Sequence, residues 1–153
     1  MSAKIAVLSA SWNTDIVESA ENSFIEHMKS KGFDAGQIDV IKVPGSLEIP
    51  LAGKMALENG YDIAVGIGFV VEGGVYRHEF VAHTVVQSIL DASLQTGKPF
   101  LSVVLTPKAF NEDLDVYEEM YVKHMVVKGQ EAAEACVRML EIPSEIQRLK
   151  DAA

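Results

Sequence analysis

"YDIAVGIGFVV", residues 61–71, carries a single charged residue, Asp62. A strand with one wet face alternates polar and apolar side chains; this run does not alternate, so both of its faces must be covered. It reads as the central strand of a parallel sheet with helices packed on either side. The rest of the chain can be laid out from it.

On the N-terminal side, "KIAVLSA" (4–10) is a second short strand-like run. A helix is expected from about Thr14 to Lys31, because Ile16, Ala20, Phe24 and Met28 recur at helical spacing and Gly32 stops the pattern. "QIDVIKV" (37–43) alternates as a strand and ends at Pro44-Gly45. "LEIPLAGKMALENG" (47–60) reads as a helix closed by Gly60, with Pro50 tolerated in its first turn. On the C-terminal side a long helix is expected from about His78 to Thr96, with Phe80, Val81, Val85, Ile89 and Leu90 facing inward and Gly97 as stop. "PFLSVVLT" (99–106) is the fourth strand. A polar stretch, 107–127, then leads to a helix over about Gly129 to Leu140; Pro143 interrupts, and "SEIQRLKD" is a short helix or tail. Four strands alternating with helices predict one α/β domain over 1–153, a parallel sheet covered on both faces.

The chain has 153 residues, nearly half of them hydrophobic, and a formal net charge of −9. That charge argues against binding to nucleic acid or to anionic lipid. No apolar run reaches the length of a membrane span. The start, "MSAKIAVLSASW", enters a strand directly and does not read as a signal peptide. The single cysteine, Cys136, excludes an intramolecular disulfide and reads as a buried thiol on a helix face. A cytoplasmic location is expected. HExxH and CxxC patterns and clustered carboxylates are missing, so no metal is expected.

In a parallel sheet, ligands bind beyond the carboxyl ends of the strands. Four segments qualify. In "SASWN", Trp12 offers a platform for a flat heterocycle and Asn13 an amide; ordinary packing and a helix N-cap explain the same pair. In "VPGSLEIP", a helix start presents N–H groups from Gly45 and Ser46, with Glu48 either accepting bonds from a polyol or amine or only favouring the helix dipole. In "VVEGGVYRH", Gly73 and Gly74 let backbone approach an oxyanion, Arg77 could clamp phosphate and His78 could move protons. A glycine turn with solvent-facing Arg and His is the plain alternative, and neither GxGxxG nor a P-loop is present. His83 reads as structural. The fourth segment, "LTPKAF", names no chemistry. Lys128-Gly129 either places an ammonium near an anion or simply enters a helix.

Assembled in order, "SWN" (11–13), "VPGSLEIPLA" (43–52), "YDIAVGIGFVVEGG" (61–74), "HEFVA" (78–82), "TGKPFLSVVLT" (96–106) and "VKGQEAAEACVRML" (127–140) resemble the 6,7-dimethyl-8-ribityllumazine synthase family. The resemblance implies a flavodoxin-like three-layer α/β/α sandwich with a four-stranded parallel sheet. It implies a transferase of riboflavin biosynthesis that joins 5-amino-6-ribitylaminouracil to 3,4-dihydroxy-2-butanone 4-phosphate without metal or redox cofactor. It also implies pentamers, with sites between neighbouring subunits. By position, Trp12 would stack on the pyrimidine, followed by Asn13. Gly45, Ser46 and Glu48 would hold the ribityl chain, and Val70 and Val71 would face the pyrimidine edge. Gly73 and Gly74 would form the phosphate turn, and Lys128 matches a lysine of the family.

The departures from the family pattern are local. Val75 replaces a phosphate-contacting Thr, Arg77 occupies the position of the catalytic His, and His78 follows one place later. One residue on a helix turns a side chain by about 100°. Ser102 stands where many members carry a Phe, and Trp12 is expected to compensate with its larger ring. The family's phosphate-binding Arg has no clear counterpart; Lys123 and His124 are nearest. "GGVYRHEFVA" with "SWN" resembles a divergent branch that forms decamers of two facing pentamers. Arg77 is thus expected to anchor phosphate or its enolate, with His124 and Lys128 assisting, and His78 to transfer protons. The competing expectation is a weakly catalytic or non-catalytic relative that binds a flavin or lumazine.

Overall fold

The computed structural model describes residues 2–153. Its elements are β1 (Ile5–Ala10), α1 (Thr14–Ser30), β2 (Ile38–Val43), α2 (Ile49–Glu58), β3 (Ile63–Phe69), α3 (His78–Thr96), β4 (Phe100–Leu105) and α4 (Asp115–Asp151). The strands lie in the order β2-β1-β3-β4 and pair in parallel, Ile5 standing level with both Ile38 and Ile63 and Ala64 with Phe100. This is the expected flavodoxin-like α/β/α sandwich. The order reverses beside β1, so the crevice at the carboxyl ends of β1 and β3 is where a ligand belongs.

Every residue of β3, like every residue of β1, is buried. Side chains of a strand alternate, and the core accordingly divides in two. Ile5, Val7, Ile63, Val65 and Ile67 meet Phe24, Met28, Met125 and Cys136 of α1 and α4, whereas Ala6, Leu8 and Ala64 meet Ile49, Leu57, Val85 and Ile89 of α2 and α3. Close approach on the α2 side depends on missing side chains. A Cβ on Gly66 would stand 2.6 Å from Ile49 Cγ2, and one on Gly68 2.5 Å from Ser46 Oγ. The bare surface of β3 therefore lets the start of α2 sit against the sheet and sets Ser46 at its carboxyl end.

Four expectations need correction. Strand β2 begins at Ile38, because Ala35–Gln37 form a 3-10 turn in which the Gln37 side chain accepts the Asp34 N–H at 2.9 Å. The stretch 47–60 is not one helix: Ser46–Glu48 make a 3-10 turn, and α2 proper starts at Ile49 with Pro50 in its first turn, where its missing N–H costs nothing. On α3 the inward stripe is Ala82, Val85, Ile89 and Ala92, while Phe80 and Leu90 lie 69% and 51% exposed. Leu90 is one residue, about 100°, round from Ile89, and Phe80 is two residues back from Ala82.

The largest correction is α4. The polar stretch read over 107–127 is non-helical only to Leu114; from Asp115 the chain forms one 37-residue helix, with Pro143 inside it. Its first turns are held by Tyr121, which packs on Phe69 with ring centroids 5.1 Å apart, and by the fully buried Met125. Proline removes one helical hydrogen bond, and across it Arg138 pairs with Glu145 at 2.6 Å. Gly129, read as a helix entry, is the buried crossing point with α1: a Cβ there would lie 2.4 Å from the Ala20 carbonyl oxygen.

Candidate functional site

The β1–α1 turn is built on Asn13. Its backbone is left-handed (φ 51°, ψ 53°), and it is the one non-glycine residue with positive φ among those described. Its carbonyl accepts the N–H groups of Ile16 (3.1 Å) and Val17 (3.0 Å), opening α1. Its side chain does not cap the helix; the amide donates instead to the Phe69 carbonyl at 3.4 Å, tying the turn to the end of β3. The preceding Ser11 hydroxyl donates to the Val43 carbonyl at 2.8 Å. Trp12, held between these two ties, is 71% exposed, so packing does not explain it.

Facing the indole is the segment after β2. A Cβ on Gly45 would stand 3.3 Å from Trp12 Cδ1 and Nε1 and 3.2 Å from Glu48 Oε2. The space beside Gly45 is thus bounded by an aromatic edge and a carboxylate. Trp12, Asn13, Gly45, Ser46, Glu48, Val70 and Val71 all line one cavity of about 410 Å³, together with Pro44, Leu47, Phe69 and Val81. An aromatic platform, a carboxylate, a hydroxyl and strand-end backbone converge there, which suits a flat heterocycle carrying a polyol.

The other named residues stand around this cavity or apart from it. The loop 71–77 leaves β3 with Gly73 and Gly74 exposed and with open space where their Cβ atoms would be. Gly74 has φ +76°, a conformation that a side chain would strain. Arg77 is exposed at the cap of α3, in an extended conformation, and makes no ion pair among the described residues. His78 opens α3 with its side chain only 16% exposed, Nδ1 3.5 Å from Glu79 Oε2. Residues three apart share a helix face, so His78 stands on the same stripe as Val81, which lines the cavity; His78 itself is not among the lining residues. His83 is exposed in a separate groove with Glu79, Gln87 and Leu90.

His124 and Lys128 are on α4, across the sheet from α3. Lys128 lies within the helix and is paired with Glu131 at 2.6 Å; His124 is exposed. From Tyr121, which touches Phe69 at the strand ends, Lys128 is roughly 10 Å further along the helix axis. The chain therefore does not bring its two groups of cationic residues together around its own cavity. Cys136 is buried, and desolvation pushes its thiol up to about 12, so it holds no thiolate for nucleophilic attack. Among the described residues no three His, Cys, Asp or Glu side chains gather as a metal site needs.

Four lining residues had no signal of their own. Phe69 and Val81 read as core, and Pro44 and Leu47 as turn and helix. Leu47 was nevertheless within reach of sequence reasoning, since it lies inside "VPGSLEIP" at a strand end.

Comparison with known proteins identifies the family. The sequence profile described as 6,7-dimethyl-8-ribityllumazine synthase matches residues 2–144. A protein of Bradyrhizobium diazoefficiens named 6,7-dimethyl-8-ribityllumazine synthase 2 is 41% identical over 138 residues, covering 90% of this chain and 82% of its own. A Pseudomonas syringae pv. tomato protein of the same name is 37% identical, covering 95% and 86%. The Rhodococcus erythropolis protein named 6,7-dimethyl-8-ribityllumazine synthase is 39% identical, covering 86% and 85%.

Proposed function

The chain belongs to the 6,7-dimethyl-8-ribityllumazine synthase family, and from that premise we propose that it condenses 5-amino-6-ribitylaminouracil with 3,4-dihydroxy-2-butanone 4-phosphate. The observation that carries this reading is the convergence of Trp12, Gly45, Ser46, Glu48, Val70 and Val71 on one cavity at the switch point of the sheet. The pyrimidine stacks against the indole. Its hydrogen-bonding edge meets the end of β3, where the Val70 N–H is already taken by the Leu105 carbonyl (2.9 Å), so the Val70 carbonyl and the Val71 N–H receive the ring. The ribityl hydroxyls run toward Ser46 and Glu48. Positioning of this kind supplies much of the rate in a condensation of two bound reactants.

The phosphate substrate enters from the side of Gly73 and Gly74. Arg77, exposed and permanently charged, holds the phosphate there, while His78, its side chain mostly covered at the start of α3, handles the protons of imine formation, phosphate loss and ring closure. His124 and Lys128 complete the phosphate site of a neighbouring subunit. Support comes from their place on α4, away from the chain's own cavity, and from the exposed apolar residues Leu51, Met55, Phe80, Leu90 and Leu94 on α2 and α3. A pentamer, doubled into a decamer, is the assembly proposed, and the cytoplasm its location; no described helix is long and apolar enough to cross a membrane.

Formation of 6,7-dimethyl-8-ribityllumazine from the two substrates, measured against the uncatalysed background, tests the activity. A rate well above background supports it. Binding of the pyrimidine or of riboflavin without turnover would replace it with a flavin- or lumazine-binding role.

A further inference from the structure

Asn13 lines the cavity, yet its backbone carbonyl and its side-chain amide N–H are both directed elsewhere. The carbonyl opens α1, and the amide donates to the Phe69 carbonyl. What is unusual is its backbone, left-handed at a position that is not glycine. Asn tolerates that conformation better than other residues with a side chain, and such a residue persists only where its surroundings fix it. The immediate neighbour on its N-terminal side is Trp12, whose indole must stand at the Gly45 backbone while remaining mostly exposed. A right-handed or extended residue 13 would swing the chain between Ser11 and Thr14 along a different path, and the ring would leave Gly45 and Glu48.

We infer that Asn13 is a positioning residue, whose left-handed backbone aims the Trp12 platform, and that its amide does not recognise the substrate. The inference rests on the pyrimidine site described above and deepens it: affinity for the flat ring depends on the turn's geometry and not on one more hydrogen bond.

Two variants separate these roles. Asn13→Gly keeps the left-handed conformation and removes the amide; Asn13→Ala removes the amide and disfavours the conformation. Trp12 is the chain's single tryptophan, so its emission maximum and its quenching by acrylamide report the platform without any ligand. We expect Asn13→Gly to keep the wild-type emission and a pyrimidine KM within about twofold, and Asn13→Ala to shift the emission and raise that KM about tenfold with kcat little changed. Thermal unfolding of both variants shows whether the Ala protein is folded, and the Gly protein decides the issue if it is not. Equal loss of affinity in both variants would overturn the inference, because the amide would then be what matters. An unmoved emission in Asn13→Ala would overturn it as well. Were the wild type to show no turnover, the emission measurements would still judge Asn13, while the proposed activity would fall separately.

Discussion

Trp12 and Gly45 come from different strand ends and meet so closely that a Cβ on Gly45 would stand 3.3 Å from two atoms of the indole ring. Gly45 is extended (φ −156°), a conformation open to any residue, so the demand for glycine there is one of space. We expect Gly45→Ala to leave the melting temperature nearly unchanged but to push the indole and the Glu48 carboxylate apart. Affinity for the pyrimidine should fall about tenfold, or about 1.4 kcal/mol, by titration of Trp12 fluorescence. Unchanged affinity would mean that the ring does not bind between these groups.

A second contact of the same kind holds α4. At Gly129 the added Cβ would be 2.4 Å from the Ala20 carbonyl oxygen and 2.9 Å from the Phe24 nitrogen, both backbone atoms that cannot move aside independently. Gly129→Ala should cost about 2–3 kcal/mol, lowering the melting temperature by about 5–10 °C in a chain of this size. A variant as stable as the wild type would show the two helices to be further apart.

These two glycines also mark how much was legible in the sequence. Strand β3 was plain because burial on both faces leaves no alternation to misread, and the strand-end rule then located the cavity from Trp12 to Val71. The first half of α4 was not. Residues 115–120 are mostly exposed, so no apolar period marks them as helix; what makes them helical is the packing of Tyr121 and Met125 beyond, which only the fold supplies. Gly129 read as a helix entry and Pro143 as an interruption, yet the helix runs through both: at Gly129 the absent side chain lets α4 cross closely over α1, and beyond Pro143 the helix continues to Asp151. Phe69 and Val81 were hidden for the opposite reason: an apolar cavity wall and a core residue carry the same letters.

At the opposite end of the sheet, Asp39 gives a pH signature. Lys4 Nζ and the Tyr61 hydroxyl donate to the same Asp39 oxygen at 3.1 and 2.9 Å. The bond from Lys4, then that from Tyr61, hold the carboxyl below its usual range; the bond to Asp39, with burial, pushes the Tyr61 phenol up. A depressed carboxylate stabilises the fold above about pH 4, and this is lost as pH falls through the lower folded value; a raised phenol stabilises it below about pH 10, lost as pH rises through the higher one. The difference in urea midpoint between wild type and Asp39→Asn should therefore be widest between these limits and close on both sides. A difference that stays constant below pH 4 would show that the ion pair is not its source.

The division of labour at the start of α3 is the point on which the proposed chemistry turns, and steady-state lumazine formation by Arg77→Ala and His78→Ala beside the wild type tests it most directly. With Arg77 exposed and the His78 side chain mostly covered at the start of α3, we expect His78→Ala to lower kcat about 100-fold with little change in KM for the phosphate substrate. Arg77→Ala should raise that KM about tenfold and largely spare kcat. Turnover unchanged in His78→Ala, with Arg77→Ala inactive, would contradict the assignment and make the arginine the group on which the reaction depends.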